Sequence, residues 1–188
     1  MNPITNIFES IGPLKTETID DLKRIIKNET FPKNAMLLEI GNRAKSIFFL
    51  KTGFARAFYY HDGKDVTDYF AIEGQFFGAV PSLINGQPSL KGIQLIEDSD
   101  IFYFSALDFE TLCAKHHDLE HVGRMMAIYG LQIDQEIIES LRFYSMKERY
   151  ELLERKFPGI MNRCPLHYIA SYLGTSQVSI SRIRAGVQ

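Results

Sequence analysis

The spacing of apolar residues divides the chain into three stretches of different character. Thr18 precedes apolar residues spaced as on one helix face, and Pro32 follows them, which predicts an N-terminal helix with Thr18 as its N-cap. From about 31 to 104, short aromatic and β-branched runs alternate with Asp-Gly, Asn-Gly and similar turn signals. This pattern predicts about seven antiparallel strands, and a barrel, a roll or a sandwich all satisfy it. The clearest predicted strands are Ala35–Ile40, Ser46–Lys51, Phe54–Tyr60, Val66–Ile72, Ile93–Ile96 and Ile101–Phe104.

Helical spacing returns after residue 104. A short helix is predicted over Asp108–Lys115, and a long one from about Asp118 to Tyr144. Apolar side chains along the long helix step by three and four residues, the spacing of a coiled-coil seam. One helix packed on its own β domain and a seam between two chains are the alternatives, and we favour the dimer because the helix would be about 40 Å long. The predicted seam residues are Val122, Met126, Tyr129 and Ile133.

Three helices are predicted in the last quarter of the chain, over Ser145–Phe157, Pro165–Leu173 and Ser176–Arg184. Ser145 and Glu148 have the spacing of a capping box, and Gly174 follows the second helix where a left-handed residue can end it.

The spacing within the last two helices is typical of a helix-turn-helix. Ala170 is small where two helices cross, Gly174 allows the turn, and Ile180 and Ile183 complete a small core. In the DNA-binding version of this motif, the second helix lies in the major groove. The outward residues of that helix suit base and phosphate contacts, and they are Ser176, Gln177, Val178, Ser179, Ser181, Arg182 and Arg184. A helical module that binds protein is the alternative.

The charge distribution supports a polyanionic partner at the C-terminal end. The chain has a net charge of −2, but residues 1–141 hold 13 Lys/Arg against 20 Asp/Glu and carry −7. Residues 142–188 hold 8 Lys/Arg against 3 Glu and carry +5. Such an asymmetry favours nucleic acid as partner, although a solvated basic helix face would look the same.

Other classes of protein find little support. The chain has no apolar run long enough to cross a membrane, no visible signal peptide, and no catalytic or nucleotide-phosphate motif, so we expect a cytoplasmic protein that is not an enzyme. Its two cysteines, Cys113 and Cys164, have no metal-binding spacing, and we expect them to be reduced thiols.

The order of these elements resembles that of the Crp/Fnr family of bacterial transcription regulators. The most specific segments are 76–89 (FFGAVPSLINGQPS) and 168–176 (YIASYLGTS). The resemblance implies an α+β chain with an antiparallel, cyclic-nucleotide-binding-like β-roll at 1–117, a dimerisation helix at 118–144, and an all-α helix-turn-helix domain at 145–188. It also implies a homodimer on a near-palindromic operator in double-stranded DNA, a small-molecule effector in the roll, contact with RNA polymerase and no membrane partner.

Three departures from the family pattern change these expectations. Ala79 stands where the cAMP-binding members have a Glu for the ribose, and Ser89-Leu90 where they have an Arg-Ser pair for the phosphate, so we expect an effector other than cAMP. Neither the four cysteines of the iron–sulfur branch nor a convincing haem motif is present, so no cofactor or metal is predicted. No C-terminal wing is expected after Arg184.

The resemblance places a ligand site on the loop that follows Phe76-Phe77, where backbone N–H groups near Gly78–Val80 could hold an anion. Its candidate residues are Phe77, Gly78, Ala79, Val80, Ser82, Gln87, Pro88 and Ser89. A regulator of this kind and a ligand-binding or scaffold module without DNA binding are the two functions that the sequence leaves open.

Overall fold

The computed structural model describes residues 3–185 and contains two four-stranded antiparallel sheets flanked by helices. In chain order the elements are α1 (Pro3–Ile11), α2 (Thr16–Ile25), β1 (Lys27–Phe31), β2 (Met36–Leu38), β3 (Ser46–Thr52), β4 (Phe54–His61), β5 (Lys64–Ile72), β6 (Phe76–Phe77), α3 (Val80–Asn85), β7 (Gly92–Leu95), β8 (Ser99–Ser105), α4 (Ala106–Lys115), α5 (His117–Phe143), α6 (Met146–Lys156), α7 (Ile160–Arg163), α8 (Leu166–Leu173) and α9 (Gln177–Arg184). This architecture confirms the predicted α+β class, with antiparallel sheets, a long helix and a C-terminal helical part.

The two sheets form a roll with an apolar interior. One sheet has the strand order β1-β8-β3-β6 and the other β2-β7-β4-β5. Alternate residues of the strands point inward, and Leu50, Ala55, Ile93, Leu95 and Ile101 are almost completely buried between the sheets. Asp62 and Gly63 both have positive φ, 49° and 71°, and make the tight β4–β5 hairpin turn that the sequence predicts.

A second core lies where α1, α2, α4 and the start of α5 cover the outer face of the first sheet. Phe8 contacts the rings of Phe76, Phe104 and Phe109, with ring centroids 5.3–6.0 Å apart. The first helix, α1, was not predicted from the sequence. Its apolar residues Ile4 and Phe8 are fully buried here.

The predicted capping role of Thr18 is wrong. Helix α2 begins at Thr16, three residues earlier than expected, and its N-cap is Lys15, which makes no side-chain capping bond. The Thr18 side chain is buried and its Oγ1 donates to the carboxylate of Asp118 at the start of α5, 3.0 Å away. The hydroxyl thus makes a tertiary contact between two helices, which local spacing does not reveal.

A third core joins the C-terminal helices to the outer face of the second sheet. Phe54 and Phe70 from β4 and β5 contact Phe157, with ring centroids 6.5 and 6.0 Å apart, and Ile169 and Leu173 of α8 are buried in the same cluster. The helical part after residue 144 therefore shares a hydrophobic core with the roll, as well as following it in sequence.

The local signals of the C-terminal part are confirmed in detail. Ser145 and Glu148 form the predicted capping box of α6. Gly174 ends α8 in the left-handed conformation at φ 68°, and Ser176 caps α9 by accepting from the N–H of Ser179. The four-residue α7 was not predicted. The expected lack of a wing concerns the residues after α9, of which the structure describes only Ala185.

One turn signal was assigned to the wrong kind of element. Asn85-Gly86 was expected as a turn between strands, but it ends helix α3, and Gly86 is its left-handed C-cap at φ 65°. The same conformational requirement, a positive φ, serves both structures, so the residue pair alone does not distinguish them.

Candidate ligand pocket and nucleic-acid interface

A cavity of about 660 Å³ opens at the end of the roll next to the β2–β3 turn. Its apolar wall includes Leu38, Phe48 and Ile93 from both sheets. Its rim is polar and includes Glu39, Asn42, Arg43 and Lys45, all exposed. A volume of this size and an apolar wall with a few polar groups are typical of small-molecule sites. The remaining lining residues are Met36, Leu37, Gly41, Ala44, Ser46, Ala79 and Pro88.

Two of the eight predicted ligand residues, Ala79 and Pro88, line this cavity. Phe77 packs in the roll interior against Phe48, with ring centroids 5.4 Å apart. The side chain of Val80 is 56% exposed on the outside of α3. Gln87 is exposed and its backbone N–H donates to Asn85.

Gly78 is engaged by a tyrosine from β5. Its N–H donates to the hydroxyl oxygen of Tyr69 over 3.2 Å, and the same hydroxyl donates to the Gly78 carbonyl over 3.0 Å. Burial raises the pKa of Tyr69, so the phenol stays protonated at neutral pH. The Gly78 N–H is therefore already engaged by Tyr69 and does not contribute to the predicted anion site.

Ser82 and Ser89 brace the cavity rim from behind. The Oγ of buried Ser82 accepts from the N–H of Ala44 over 3.0 Å and donates to the Gln87 carbonyl over 2.5 Å. The Ser89 backbone exchanges two hydrogen bonds of 2.8 Å with Gly41 and Asn42. These bonds tie the loop that contains α3 to the β2–β3 turn, so both residues act on the cavity through the position of that turn.

The sequence interpretation missed Arg43 and Lys45. Both lie in the β2–β3 turn, line the cavity and have no carboxylate partner within 4 Å among residues 3–185. The available signal was two cations within three residues directly after Gly41-Asn42. This pair of cations was not included in the predicted ligand site because the family resemblance places that site on the loop after Gly78.

The second candidate surface is α9, which α8 holds at the edge of the C-terminal part. Six of the seven predicted DNA-contacting residues are exposed, and Val178 is 61% exposed although apolar. Ser179 is half-buried and lines a groove against the start of α6, together with Arg182, Ser145, Met146 and Lys147. The exposed residues at or near α9 are Ser176, Gln177, Val178, Ser181, Arg182 and Arg184.

Helix α5 exposes apolar side chains along its C-terminal half. Of the predicted seam, Val122 is fully buried in its own chain, Met126 is half-buried, and Tyr129 and Ile133 are 52% and 43% exposed. Val122 is thus occupied by contacts within the chain, and the exposed apolar surface begins further along the helix. Its other exposed large apolar residues are Ile128, Leu131, Ile138, Leu141 and Phe143.

A cluster around Arg163, which was not predicted from the sequence, connects the roll to the C-terminal helices. Arg163, at the end of α7, donates to the carboxylates of Glu97 and Glu73, with closest distances of 2.7 Å, and to the Gly53 carbonyl over 2.9 Å. Burial alone would raise the pKa of Glu73, but the hydrogen bonds from Arg163 and backbone N–H groups outweigh it and lower that pKa. All three acceptors belong to the roll, so one guanidinium holds α7 against it.

A buried arginine lies under α8. Arg56 of β4 is 2% exposed, donates to both oxygens of Asp65 over 2.5 and 2.7 Å, and stacks its guanidinium 3.4 Å from the ring centroid of Tyr168. The Ser171 Oγ accepts from the N–H of Thr67 nearby, over 3.0 Å. A buried cation needs such partners because desolvation is costly.

Glu17, Asp21 and His116 bring three candidate metal-ligating atoms within 4.8 Å of one another. The Nζ of Lys115 lies 2.6 Å from Asp21 and 3.3 Å from Glu17, so an ammonium group already neutralises these carboxylates. His116 Nε2 is 2.9 Å from Asp21 Oδ2. This cluster connects α2 to the α4–α5 junction as an ion-pair network.

The cysteines are free thiols. Burial is the main cause that raises the pKa of Cys113 to about 11 and that of Cys164 to about 12. Both are therefore protonated, and weak nucleophiles, at neutral pH. Within the described chain, no helix combines the length and apolarity needed to cross a membrane.

Comparison with known proteins agrees with this architecture. Residues 28–116 match the family described as the cyclic nucleotide-binding domain. No curated protein matches the chain. Among solved structures, FixK2 from Bradyrhizobium japonicum superposes with a TM-score of 0.73 at 17% identity, covering 86% of this chain and 84% of that one.

Two further structures show the same likeness. A protein from Eubacterium rectale described as a transcriptional regulator of the Crp/Fnr family has a TM-score of 0.72 at 14% identity, covering 92% of this chain and 83% of that one. The c-di-GMP responsive global regulator CLP from Xanthomonas campestris has a TM-score of 0.65 at 13% identity, covering 92% and 91%. At these identities the likeness establishes a shared fold.

Proposed function

We propose that the chain is a dimeric, sequence-specific DNA-binding transcription regulator of the Crp/Fnr type, and its fold and the cyclic nucleotide-binding domain match at 28–116 support this. Its effector is a small molecule other than cAMP, bound in the roll. The observation that carries the proposal is the exposed polar face of α9, capped by Ser176 and fixed to α8 through Gly174. The alternative is a ligand-binding or scaffold module without DNA binding.

Base reading falls to the N-terminal half of α9. Gln177 can pair with adenine, Val178 can contact a thymine methyl group, and Ser181 can donate or accept. Arg182 and Arg184 can reach phosphate or guanine. Ser179 is half-buried in the groove between α9 and α6, so its contribution to DNA binding would come from within that groove.

Dimerisation would use the exposed apolar half of α5. With 27 residues the helix is about 40 Å long. Its large apolar residues that are buried in its own chain, Leu119 and Val122, lie in the first turns, and Tyr129 and Ile133 remain open to a second copy. Burial of these side chains between two helices would stabilise the dimer, since each Å² of apolar surface removed from water contributes about 25 cal/mol.

The expectation of an effector other than cAMP rests on the α3 loop. Ala79 is buried and offers no carboxylate to a ribose. The Ser89 hydroxyl donates to the Lys91 carbonyl, and Leu90 is 84% exposed. The cation of this loop, Lys91, is paired with Asp68 over 2.5 Å.

The regulatory mechanism we propose couples the roll to α9 by two routes. One is a shift of the two α5 helices of the proposed dimer against each other, and the other is the direct packing of α7 and α8 on the second sheet. An effector changes DNA affinity only if it binds one arrangement better than the other. The division into a sensory part at 1–117, a dimerisation helix at 118–144 and a DNA-binding part at 145–188 belongs to this proposal, as do contact with RNA polymerase and a cytoplasmic location.

The proposal is tested by incubating the protein with fragmented genomic DNA of its source, with and without cAMP, and sequencing what is retained. We expect one near-palindromic motif, retained equally in both conditions. The double variant Gln177→Ala/Arg182→Ala should lose the motif. Lys64→Ala, which removes an exposed cation from the distant β4–β5 turn, should keep it.

Each unfavourable outcome has a distinct meaning. A motif that appears only with cAMP would overturn the effector prediction and leave DNA binding in place. Retention of no motif by the parent protein, or equal retention by the double variant, would contradict DNA reading by α9 and favour the scaffold alternative.

A further inference from the structure

We propose that the roll cavity binds a small organic anion with an apolar body, and that Arg43 and Lys45 of the β2–β3 turn recognise its charge. The inference rests on the proposed function in so far as the ligand is the effector of that regulator. It assigns the charge recognition to a different loop from the one expected, and it concerns two residues that neither the family match nor the sequence motifs single out.

Arg43 and Lys45 differ from other cations of the roll in their partners and in their position at the cavity. Three roll cations are paired, Lys51 with Asp100, Arg56 with Asp65 and Lys91 with Asp68, whereas Lys64 has no carboxylate within 4 Å among residues 3–185 but does not line the cavity. Arg43 and Lys45 line the cavity and lie within 4 Å of no carboxylate among residues 3–185. Two unpaired cations at one cavity rim provide charge that an anionic ligand can use.

The chemistry of the rim defines the ligand class. A guanidinium and an ammonium at one rim suit a carboxylate, sulfonate or phosphate, with which they form charge-assisted hydrogen bonds. Glu39 lies on the same rim and Asn42 beside it, so the ligand can also present a donor group. The rim keeps a net charge of +1 from these ionisable side chains, which favours an anion over a neutral or cationic molecule.

The cavity wall requires an apolar body. The side chains of Leu38, Phe48 and Ile93 line the cavity and are otherwise buried in the interior of the roll. A volume of about 660 Å³ accommodates a ligand of one or two rings in addition to its anionic group. A bare inorganic anion would leave this wall unfilled.

The rim is held in place before a ligand arrives. The N–H of Gly41, the carbonyl of Asn42 and the N–H of Ala44 are each hydrogen-bonded to the α3 loop, at 2.8, 2.8 and 3.0 Å. Arg43 lies between the last two of these anchors. Because the backbone is already ordered, binding loses less conformational entropy, and the charges contribute more to the affinity.

The test uses 8-anilinonaphthalene-1-sulfonate, an aromatic sulfonate, and N-phenyl-1-naphthylamine, a closely related molecule without the sulfonate. Their affinities are measured by fluorescence titration of the parent protein, of Arg43→Gln/Lys45→Gln, and of Lys64→Gln as the matched loss of an exposed roll cation. We expect the double variant to bind the sulfonate about tenfold or more weakly. It should bind the neutral molecule as the parent does, and Lys64→Gln should change neither affinity.

Unchanged sulfonate affinity in the double variant, or an equal loss for the neutral molecule, would overturn the inference, because charge at this rim would then play no part. Circular dichroism melting of the double variant controls for folding, and the single variants Arg43→Gln and Lys45→Gln repeat the test should the double variant unfold. Each single variant should show part of the selective loss.

The genomic DNA experiment, repeated without ligand on Arg43→Gln/Lys45→Gln, separates the two proposals. The variant should retain the same motif as the parent protein. If the parent protein retains no motif while sulfonate binding depends on the two cations, the anion site stands and the regulatory function fails. If DNA is retained while sulfonate binding ignores the cations, the function stands and the anion site fails.

Discussion

At the scale of single residues, polar side chains inside this chain mainly connect loops and helices. Ser82 is the clearest case, because one hydroxyl serves both the β2–β3 turn and the α3 loop. The sequence identified Ser82 as a candidate for the site, but its role as a brace depends on Ala44, 38 residues away. Contacts over such distances are set by the tertiary fold and have no local signal.

Ser82→Ala should destabilise the protein by about 1–3 kcal/mol, because it leaves the Ala44 N–H unsatisfied next to a buried site. Urea unfolding measures the change. Ser181→Ala, at an exposed position of α9, should stay within about 0.5 kcal/mol of the parent protein. Equal stability of the two variants would contradict the bracing role.

Asp21 makes folding sensitive to acid. Hydrogen bonds from Lys115 and then His116 lower the pKa of Asp21 from 3.8 to about 2. Because the folded-state pKa is the lower one, the stabilisation is present above about pH 4 and is lost as the pH falls towards 2. Asp21→Asn should flatten the fall in melting temperature over this range, whereas Asp20→Asn, on the same helix, should retain it; parallel profiles for parent and Asp21→Asn would contradict the assignment.

At the scale of elements, local signals were most reliable where one residue has one conformational purpose. The capping box at Ser145, the N-cap at Ser176 and the left-handed Gly174 all follow from local backbone needs and are confirmed. The N-cap prediction for Thr18 was wrong because its hydroxyl donates to Asp118, 100 residues away. Helix α3 was missed because its six residues are too short for a periodic pattern.

Gly174→Ala should destabilise the C-terminal helices by about 1 kcal/mol, because alanine is strained at φ 68°. Beyond the two neighbouring residues, no heavy atom of residues 3–185 lies within 4 Å of the position a Cβ would take, so the cost is conformational and not a clash. Gly174→Asn should cost less, since asparagine tolerates the left-handed region better. Thermal unfolding compares the two, and an unchanged midpoint for Gly174→Ala would contradict the strain argument.

Tyr129→Lys/Ile133→Lys should convert the proposed dimer to a monomer, because two charges would have to be buried in the seam. Sedimentation velocity at fixed concentration measures the change. Val122→Ala is the contrasting variant: it removes buried volume from the chain's own core, so it should lower the melting temperature while the folded protein stays dimeric. Identical sedimentation of the double lysine variant and the parent protein would place the seam elsewhere.

At the scale of the whole molecule, the contact between the roll and the C-terminal helices had no sequence signal. Division of the chain by charge and spacing separated 145–188 from the rest, but Phe157, Ile169 and Leu173 share a core with β4 and β5. Across the same boundary, Arg163 adds ion pairs with the roll and Arg56 adds a cation–π contact with Tyr168. Element types and order followed from periodicity, whereas the packing of one part on another depends on side-chain pairs far apart in sequence.

Arg163→Met should destabilise the protein by about 1–3 kcal/mol, because Glu97 and Glu73 lose their shared cation and Gly53 loses a donor. Arg155→Met, on exposed α6 surface, is the matched control and should have little effect. Hydrogen exchange should become faster in α7 and α8 of the Arg163 variant. Unchanged exchange there would show that this junction does not hold the helices to the roll.

DNA reading by α9 is tested by the affinity of the protein for a genomic DNA fragment that it retains, compared with a scrambled fragment over a range of salt concentrations. A dimer that neutralises about 6–10 phosphates should give a log–log slope of about −5 to −9, and should prefer the retained fragment by about a thousandfold or more. A slope near zero with equal affinity for both fragments would contradict DNA reading by α9 and leave a ligand-binding module as the better description of the chain.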